Sequence, residues 1–217
     1  MNEIIPTILV DSQRDFEQQL RIVEPYVSTV QVDILDGSCY SVTNWHDPVA
    51  VGAIQTPVQF ELHLMVENPL PIITEWKKYV PNTIRAIIHA ELDRPLPAIM
   101  QYIKEHLQLE AGVALNPETP LSESHRVLHE ADMVLLLGVH PGASGQPFHG
   151  DSIFEKIKRL HAHLPELPLG VDGGITKENI EKIKEAGASR FCVGSSIFHE
   201  KDSVEALKAL QKIIGVL

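Results

Sequence analysis

Two aspartates and a histidine lie within apolar segments of this chain, where ionisable side chains are unusual. Asp33 falls in VQVDILDG, His63 in FELHLM and Asp172 in LGVDGG. A buried carboxylate is costly unless it is paired, hydrogen-bonded or bound to a metal ion. One such aspartate is as often structural as catalytic. Two of them, with a histidine between them in the sequence, favour a chemical role.

Two carboxylates that flank a bound sugar suit proton transfer on opposite faces of one carbon. Removing a proton next to a carbonyl requires stabilisation of the enediolate that develops, and a divalent cation is an effective stabiliser. Asp33, His63 and Asp172 offer oxygen and nitrogen ligands of the kind that Zn²⁺, Fe²⁺, Mn²⁺ or Co²⁺ accepts. These residues therefore predict metal-assisted acid–base chemistry.

Eight short apolar runs must position these side chains, and a helical stretch follows each run. Alternating strands and helices indicate a parallel sheet. Eight such units indicate closure into a (β/α)8 TIM barrel, which we expect to be a single domain over residues 1–217. The runs are Ile4–Val10, Val27–Leu35, Val58–Met65, Thr83–Glu91, Leu109–Asn116, Asp132–Val139, Leu167–Gly173 and Arg190–Phe198. In such barrels the carboxyl ends of the strands carry the site, so polar residues there should converge on one mouth.

Glycine-containing segments follow the last three predicted strands. They are Val139–Phe148, the turn at 172–174 and the segment at 193–196. Glycine lets backbone N–H groups approach an oxyanion closely, and the phosphate site of many (β/α)8 enzymes lies near strands seven and eight. One such cluster alone would more often be a plain turn. Three on adjacent strands predict a phosphate site.

Composition narrows the classes of partner. The chain has 217 residues and a formal net charge of −11, which argues against binding to nucleic acids or anionic membranes. No apolar run approaches the length that spans a bilayer, and the first residues do not resemble a signal peptide. The two cysteines provide neither a disulfide framework nor a thiolate metal site. A cytoplasmic location is expected.

The motifs VDILDG, ELHLMVENP, LNPETPL, GVHPGASGQPF and GVDGGIT resemble those of ribulose-phosphate 3-epimerases, and the resemblance covers nearly the whole chain. It implies a barrel of the ribulose-phosphate-binding type and an isomerase that inverts C3 of a ketose phosphate. The implied reaction interconverts D-ribulose 5-phosphate and D-xylulose 5-phosphate. The implied partner is a small sugar phosphate, and relatives often form homo-oligomers.

The same resemblance assigns roles to individual residues. Asp33 would accept the proton on one face and Asp172 would donate it on the other, and both would bind a divalent metal ion together with His63. The residues implied in substrate binding are Thr7, His63, Met65, Gly142, Ala143, Ser144, Gly145, Gly173, Gly174, Gly194 and Ser195.

Two departures from the family pattern keep alternatives open. Gln31 stands where the family usually has a metal-binding histidine, and its neutral amide oxygen is a poorer ligand for a transition metal than imidazole. The predicted loop Gly37–Asp47 differs from the family's usual segment, and it helps to wall the sugar pocket. An epimerase of another ketose phosphate, such as a hexulose 6-phosphate, and a metal-free vestigial sugar-phosphate binder are therefore the alternatives.

Several histidines lie near the predicted mouth. His89, with Glu91, is expected to orient other groups rather than to act directly. His46, His140 and His149 lie on loops, where each either faces water or folds inward as a substitute ligand for the missing histidine at position 31.

Overall fold

A computed structural model describes residues 2–142 and 145–216 of the chain. Eight parallel strands close into a barrel in chain order, and a helix follows each strand, so the predicted TIM-barrel fold is confirmed. The strands are β1 Glu3–Ile8, β2 Thr29–Ile34, β3 Gln59–Leu64, β4 Thr83–His89, β5 Glu110–Leu115, β6 Met133–Leu137, β7 Leu169–Asp172 and β8 Arg190–Val193.

The helices surround this barrel. In the described part of the chain, no helix is both long and apolar enough to cross a membrane. They are α1 Gln13–Val23, α2 Pro48–Gly52, α3 Pro69–Tyr79, α4 Leu96–Glu105, α5 Leu121–Glu130, α6 Asp151–His163, α7 Ile180–Glu185, α8 Ser195–Phe198 and α9 Ser203–Ile214.

The eighth apolar run, Arg190–Phe198, is only half strand. β8 ends at Val193, Gly194 adopts φ −100° and ψ −86°, and the following Ser195–Phe198 forms α8. A continuous apolar run does not distinguish a buried strand from a buried helical turn. The expected long strand is therefore wrong in its second half, where Ile197 is fully buried as a helical residue.

Alternation along the strands separates the apolar layer from the barrel interior. In β2, Val30, Val32 and Ile34 belong to the core between barrel and helices. Successive side chains of a strand face opposite sides, so Gln31 and Asp33 face the interior. The interior is itself layered. Apolar residues fill its middle, among them Ile5, Ile87, Ala114, Met133 and Leu135, and Leu137 and Cys192 of the same cluster reach the wall of the cleft at the carboxyl end.

A buried ion-pair network closes the amino-terminal end of the barrel. Glu61 of β3 is fully buried and accepts hydrogen bonds from Arg85 of β4 and Arg190 of β8. Arg85 also pairs with Glu110, and Arg190 pairs with Glu3 at 2.8 Å. Five strands therefore meet through these charges at the end opposite the predicted mouth.

We expect Glu61→Gln to lower the free energy of unfolding by about 3–5 kcal/mol, because it leaves buried guanidinium groups without full compensation. Denaturant unfolding measures this loss. Glu17→Gln is the matched control. Glu17 pairs with Arg21 on the surface, and its loss should cost less than about 1 kcal/mol. Equal losses in the two variants would contradict the structural role of Glu61.

Candidate active site

The carboxyl ends of the strands surround one open cleft. Every described residue predicted to bind substrate lines this cleft, and so do both aspartates. Ala143 and Ser144, also predicted to bind substrate, lie outside the described residues. The predicted residues on its walls are Thr7, Asp33, His63, Met65, Gly142, Gly145, Asp172, Gly173, Gly174, Gly194 and Ser195.

The two aspartates share one amide. Gln31 Nε2 donates to Asp33 Oδ1 at 2.9 Å and to Asp172 Oδ2 at 2.8 Å. The carboxylates come from β2 and β7, on well-separated parts of the barrel wall, yet both reach the same nitrogen. Asp33 is 8% exposed and Asp172 is 9% exposed, so their remaining accessible surface faces the cleft.

In this arrangement both carboxylates receive a hydrogen bond from Gln31, whereas the amide oxygen of Gln31 receives none. An amide nitrogen carries two hydrogens, one for each acid. Gln31 is fully buried, and its Oε1 has no hydrogen-bond partner among the described residues. A buried acceptor without a partner is unusual and indicates a missing ligand or a functional constraint.

His63 completes the contacts between the acids. Its Nδ1 lies 3.0 Å from Asp33 Oδ1 and 3.3 Å from Asp172 Oδ2. Burial lowers the pKa of His63, but hydrogen bonds and charge attraction from both aspartates outweigh burial and raise this pKa to about 10. Burial and repulsion from Asp172 raise the pKa of Asp33, and His63 opposes this rise. Two acids and one imidazolium thus form a coupled cluster.

A second histidine extends the cluster away from the cleft. His63 Nε2 lies 3.0 Å from His89 Nε2, and His89 Nδ1 lies 3.2 Å from Glu91 Oε2. Burial lowers the pKa of His89, which favours its neutral form. A neutral His89 can accept from His63 through Nε2 and donate to Glu91 through Nδ1. This is the geometry that the predicted orienting role requires.

Glu91 anchors the outer end of this chain. It accepts from the backbone N–H of Asn116 at 2.8 Å and from the hydroxyl of Thr119. Burial alone would raise the pKa of Glu91, but bonds from His89, Thr119 and Asn116 lower it to about 2. The anchor is therefore ionised at neutral pH.

The central cluster fits a divalent cation. Asp33, His63 and Asp172 each offer one ligand atom within 4.8 Å of the others, as predicted from the sequence. Gln31 Nε2 faces the two acids, so the unpartnered Oε1 would become an additional oxygen donor only after rotation of the amide. With the amide oxygen, the set would have one nitrogen and three oxygens. This set is harder than one with a histidine at position 31, which would have two imidazole nitrogens and two carboxylate oxygens.

Glycines of the segments after β6 and β7 shape part of the cleft wall. Gly142, Gly145, Gly173 and Gly174 adopt φ values of 111°, 77°, 92° and 68°, which side-chain-bearing residues rarely adopt. A Cβ on Gly174 would also lie 2.8 Å from the backbone of Phe148. Backbone conformation thus favours glycine at all four positions, and close packing against the segment after β6 also excludes a side chain at Gly173 and Gly174, whether or not a phosphate is bound there.

Two residues of the cleft wall have a buried polar atom without a hydrogen-bond partner among the described residues. Thr7 is 6% exposed, lines the cleft, and its Oγ1 has no partner among the described residues. A buried hydroxyl of this kind is suited to a hydroxyl group of a ligand. Gln19 of α1 also lines the cleft with an unpartnered Oε1, and no sequence pattern marks it because it lies on an ordinary amphipathic helix.

The Gly37–Asp47 segment is a loop, as predicted, and it braces the base of the site. Asn44 accepts from the backbone N–H of Leu35 at 2.8 Å and donates to the carbonyl of Asp33 at 2.8 Å. Tyr40 packs near Gly142 and makes an edge contact with His89. Sequence reasoning missed Asn44, since nothing local indicates that it folds back onto β2.

None of the three loop histidines substitutes for a ligand at position 31. His46 Nδ1 lies 2.9 Å from the carbonyl oxygen of Asn44. His140 lies 3.2 Å from Glu118 and contacts His149 edge-on. The possibility that one of these histidines folds inward and replaces the missing imidazole at position 31 is therefore wrong.

Comparison with known proteins identifies the family. A sequence model described as the ribulose-phosphate 3 epimerase family matches residues 3–198. The chain belongs to this family. The ribulose-phosphate 3-epimerase of Bacillus subtilis (strain 168) is 31% identical, and the match covers 97% of this chain and 99% of the relative. The chloroplastic ribulose-5-phosphate-3-epimerase of Arabidopsis thaliana is 32% identical over 96% of this chain and 75% of the relative.

Among solved structures, a 3-hexulose-6-phosphate synthase aligns with a TM-score of 0.73 at 15% identity, covering 99% of this chain and 100% of the other. At this identity the likeness supports the fold alone. Family membership confirms the predicted enzyme class, an isomerase acting on carbohydrate phosphates. The cytoplasmic location, the lack of nucleic-acid binding and the homo-oligomer stay predictions.

The charge on Glu91 should make stability depend on pH. Its pKa falls from 4.5 to about 2 on folding, so it stabilises the fold above pH 4.5, and this stabilisation is lost as pH falls towards 2. We expect Glu91→Gln to cost about 1–3 kcal/mol at neutral pH, as for other hydrogen bonds to charged groups. The difference from the native chain should shrink as the acid range is entered.

Urea unfolding at several pH values measures this difference. Glu166→Gln, on an exposed loop before β7, is the control and should change little at any pH. A difference between the native chain and Glu91→Gln that is the same at pH 3 and pH 7 would show that the charge of Glu91 does not contribute.

Proposed function

We propose that this protein inverts C3 of a ketose phosphate, interconverting D-ribulose 5-phosphate and D-xylulose 5-phosphate, from one (β/α)8 domain over residues 1–217. The observation that carries the proposal is the placement of Asp33 and Asp172. Both acids are hydrogen-bonded to one amide nitrogen and both face one cleft. Family membership supports the same reaction.

Asp33 and Asp172 act as the two acid–base groups. One carboxylate removes the proton from C3, and the electron pair of the broken C–H bond moves into the C2–C3 bond while the carbonyl oxygen at C2 becomes anionic. The other carboxyl group returns a proton to the opposite face of C3. The two acids exchange their protonation states in each turnover, and the reverse reaction uses them in the opposite order.

The neighbouring residues hold this pair in place. Gln31 donates to both acids, and His63 Nδ1 is hydrogen-bonded to Asp33 and lies 3.3 Å from Asp172, so that each carboxylate presents its free oxygen lone pairs to the cleft. His89 and Glu91 fix the ring of His63 from behind. Because the acids are nearly buried, their proton transfer takes place with little competing water.

A divalent cation held by Asp33, His63 and Asp172 would supply positive charge to the developing enediolate. Oε1 of Gln31 would join these ligands after rotation of the amide, because Nε2 is the atom that contacts both acids in this structure. Carbonyl and carboxylate oxygens suit Mn²⁺, whereas a second imidazole would favour Zn²⁺. We therefore propose Mn²⁺ as the preferred ion, among the Zn²⁺, Fe²⁺, Mn²⁺ and Co²⁺ that the ligand types allow.

The substrate spans the cleft between the acids and the glycine segments. Thr7 and Met65 contact the sugar, and the glycines of the β6, β7 and β8 loops hold the phosphate. This assignment places the unpartnered hydroxyl of Thr7 on a hydroxyl group of the substrate. The backbone N–H groups of Gly142, Gly145, Gly173, Gly174, Gly194 and Ser195, together with the 143–144 segment, are the proposed phosphate donors.

Proton exchange at C3 tests the assignment of the acids. In deuterated water the protein should exchange the C3 proton of ribulose 5-phosphate, as followed by NMR. Asp33→Asn and Asp172→Asn should each lower the rate by at least about a hundredfold, the contribution typical of a general acid or base. Asp151→Asn, the same change on an exposed residue of α6, should leave it unaltered.

Normal exchange in either active-site variant would remove the two-acid mechanism. The same assay with a hexulose 6-phosphate distinguishes the substrates. A higher kcat/KM for that sugar would show that the Gly37–Asp47 loop has changed the specificity.

Metal removal tests the cation and separates the enzyme from a vestigial binder. Dialysis against a chelator should stop C3 exchange, and Mn²⁺ should restore it. Equilibrium dialysis should show that Gln31→His tightens Zn²⁺ binding relative to Mn²⁺ by about tenfold or more, because it replaces an amide by an imidazole. A chain that binds sugar phosphate but shows neither bound metal nor exchange would support the vestigial alternative.

A further inference from the structure

A second group of metal-ligating side chains lies at the rim of the cleft. Glu118 belongs to the loop between β5 and α5, and His140 and His149 belong to the segment between β6 and α6. Each offers one ligand atom, and these atoms lie within 4.8 Å of one another. The three share no residue with the Asp33, His63 and Asp172 cluster.

The geometry brings two loops together. His140 Nε2 lies 3.2 Å from Glu118 Oε1, and the rings of His140 and His149 meet edge-on with centroids 4.8 Å apart. Backbone contacts fix both sides. The N–H of His149 donates to the carbonyl of Gly138 at 2.8 Å, and Lys156 Nζ donates to the carbonyls of Asn116 and Pro117 at 2.8 and 2.9 Å.

An ion pair alone does not account for this convergence. The side chains of His140 and Glu118 are 57% and 60% exposed, and a pair so exposed contributes little to stability. Two imidazoles at this distance would repel each other if both were protonated. In their neutral forms they present lone pairs beside a carboxylate, which is the His₂Glu donor set of zinc sites.

We propose that Glu118, His140 and His149 form a second divalent-cation site, of the Zn²⁺ class. Two imidazoles and one carboxylate suit Zn²⁺, whereas the oxygen-rich central cluster suits a harder ion. The net charge of −11 adds a general attraction for cations. Three ligands leave further coordination positions to water or to an anion.

Occupancy of this site would act on the cleft. His140, Pro141 and Gly142 are part of its wall, so a cation on His140 and His149 ties this wall to Glu118 on the neighbouring loop. We therefore assign to the site a clamp across the β5 and β6 loops. The proposed clamp does not depend on which sugar phosphate binds at the central site.

Zinc stoichiometry tests the proposal. In a chain carrying Asp33→Asn and Asp172→Asn, which lacks the central acids, equilibrium dialysis should still find a single equivalent of Zn²⁺. Adding His140→Asn or His149→Asn should abolish it, and adding Glu118→Gln should weaken Zn²⁺ binding by at least about tenfold. His106→Asn, which removes an exposed histidine of the helix α4 end, is the control and should change nothing.

Two further measurements do not depend on that background. In the otherwise native chain, His149→Asn should lower the zinc stoichiometry by a single equivalent. Zn²⁺ should also slow amide hydrogen exchange over 145–150, and His149→Asn should remove this effect. The proposal is overturned if the background chain binds no Zn²⁺, if His149→Asn binds Zn²⁺ as the parent does, or if His106→Asn weakens binding equally.

Discussion

The active site depends on one electrostatic constraint, the burial of two like-charged carboxylates within reach of the same atoms. Asp33 and Asp172 repel each other in a poorly hydrated place, and neither is stable there without donors. Gln31 and His63 provide those donors, each of them contacting both acids. The closed barrel is what allows this, because β7 faces the adjacent strands β2 and β3 only across its interior.

The barrel separates this demanding cluster from the charges that stabilise the fold. Glu61, Arg85 and Arg190 occupy the amino-terminal end, where ion pairs with one another and with Glu110 and Glu3 compensate their charges. A middle layer of apolar side chains, including Ile87 and Met133, lies between that network and the acids. Stability and chemistry are thus assigned to opposite ends of the same strands, which is the usual division in (β/α)8 enzymes.

Sequence patterns predicted the barrel and the central acids, because buried carboxylates stand out in apolar strands and the strand ends of a barrel must converge. They did not predict the end of β8, since Gly194 breaks an apolar run that looks continuous. Nor did they predict that His140 and His149 would meet Glu118. Strand ends are fixed by register, whereas the loops that carry these three side chains have no periodic pattern to read.

The amide of Gln31 contacts the two acids in a way that an imidazole at this position would not. A neutral imidazole has a single donor, whereas the amide nitrogen has two hydrogens and can bind both acids at once. Rotation about the last side-chain torsion would instead present Oε1, the atom now without a partner, to a cation between the same acids. The amide therefore bridges Asp33 and Asp172 in one orientation and offers an oxygen to a cation in the other, and an oxygen ligand weakens the preference for a borderline metal. A decaying site would be expected to lose the costly acids first, and both are retained.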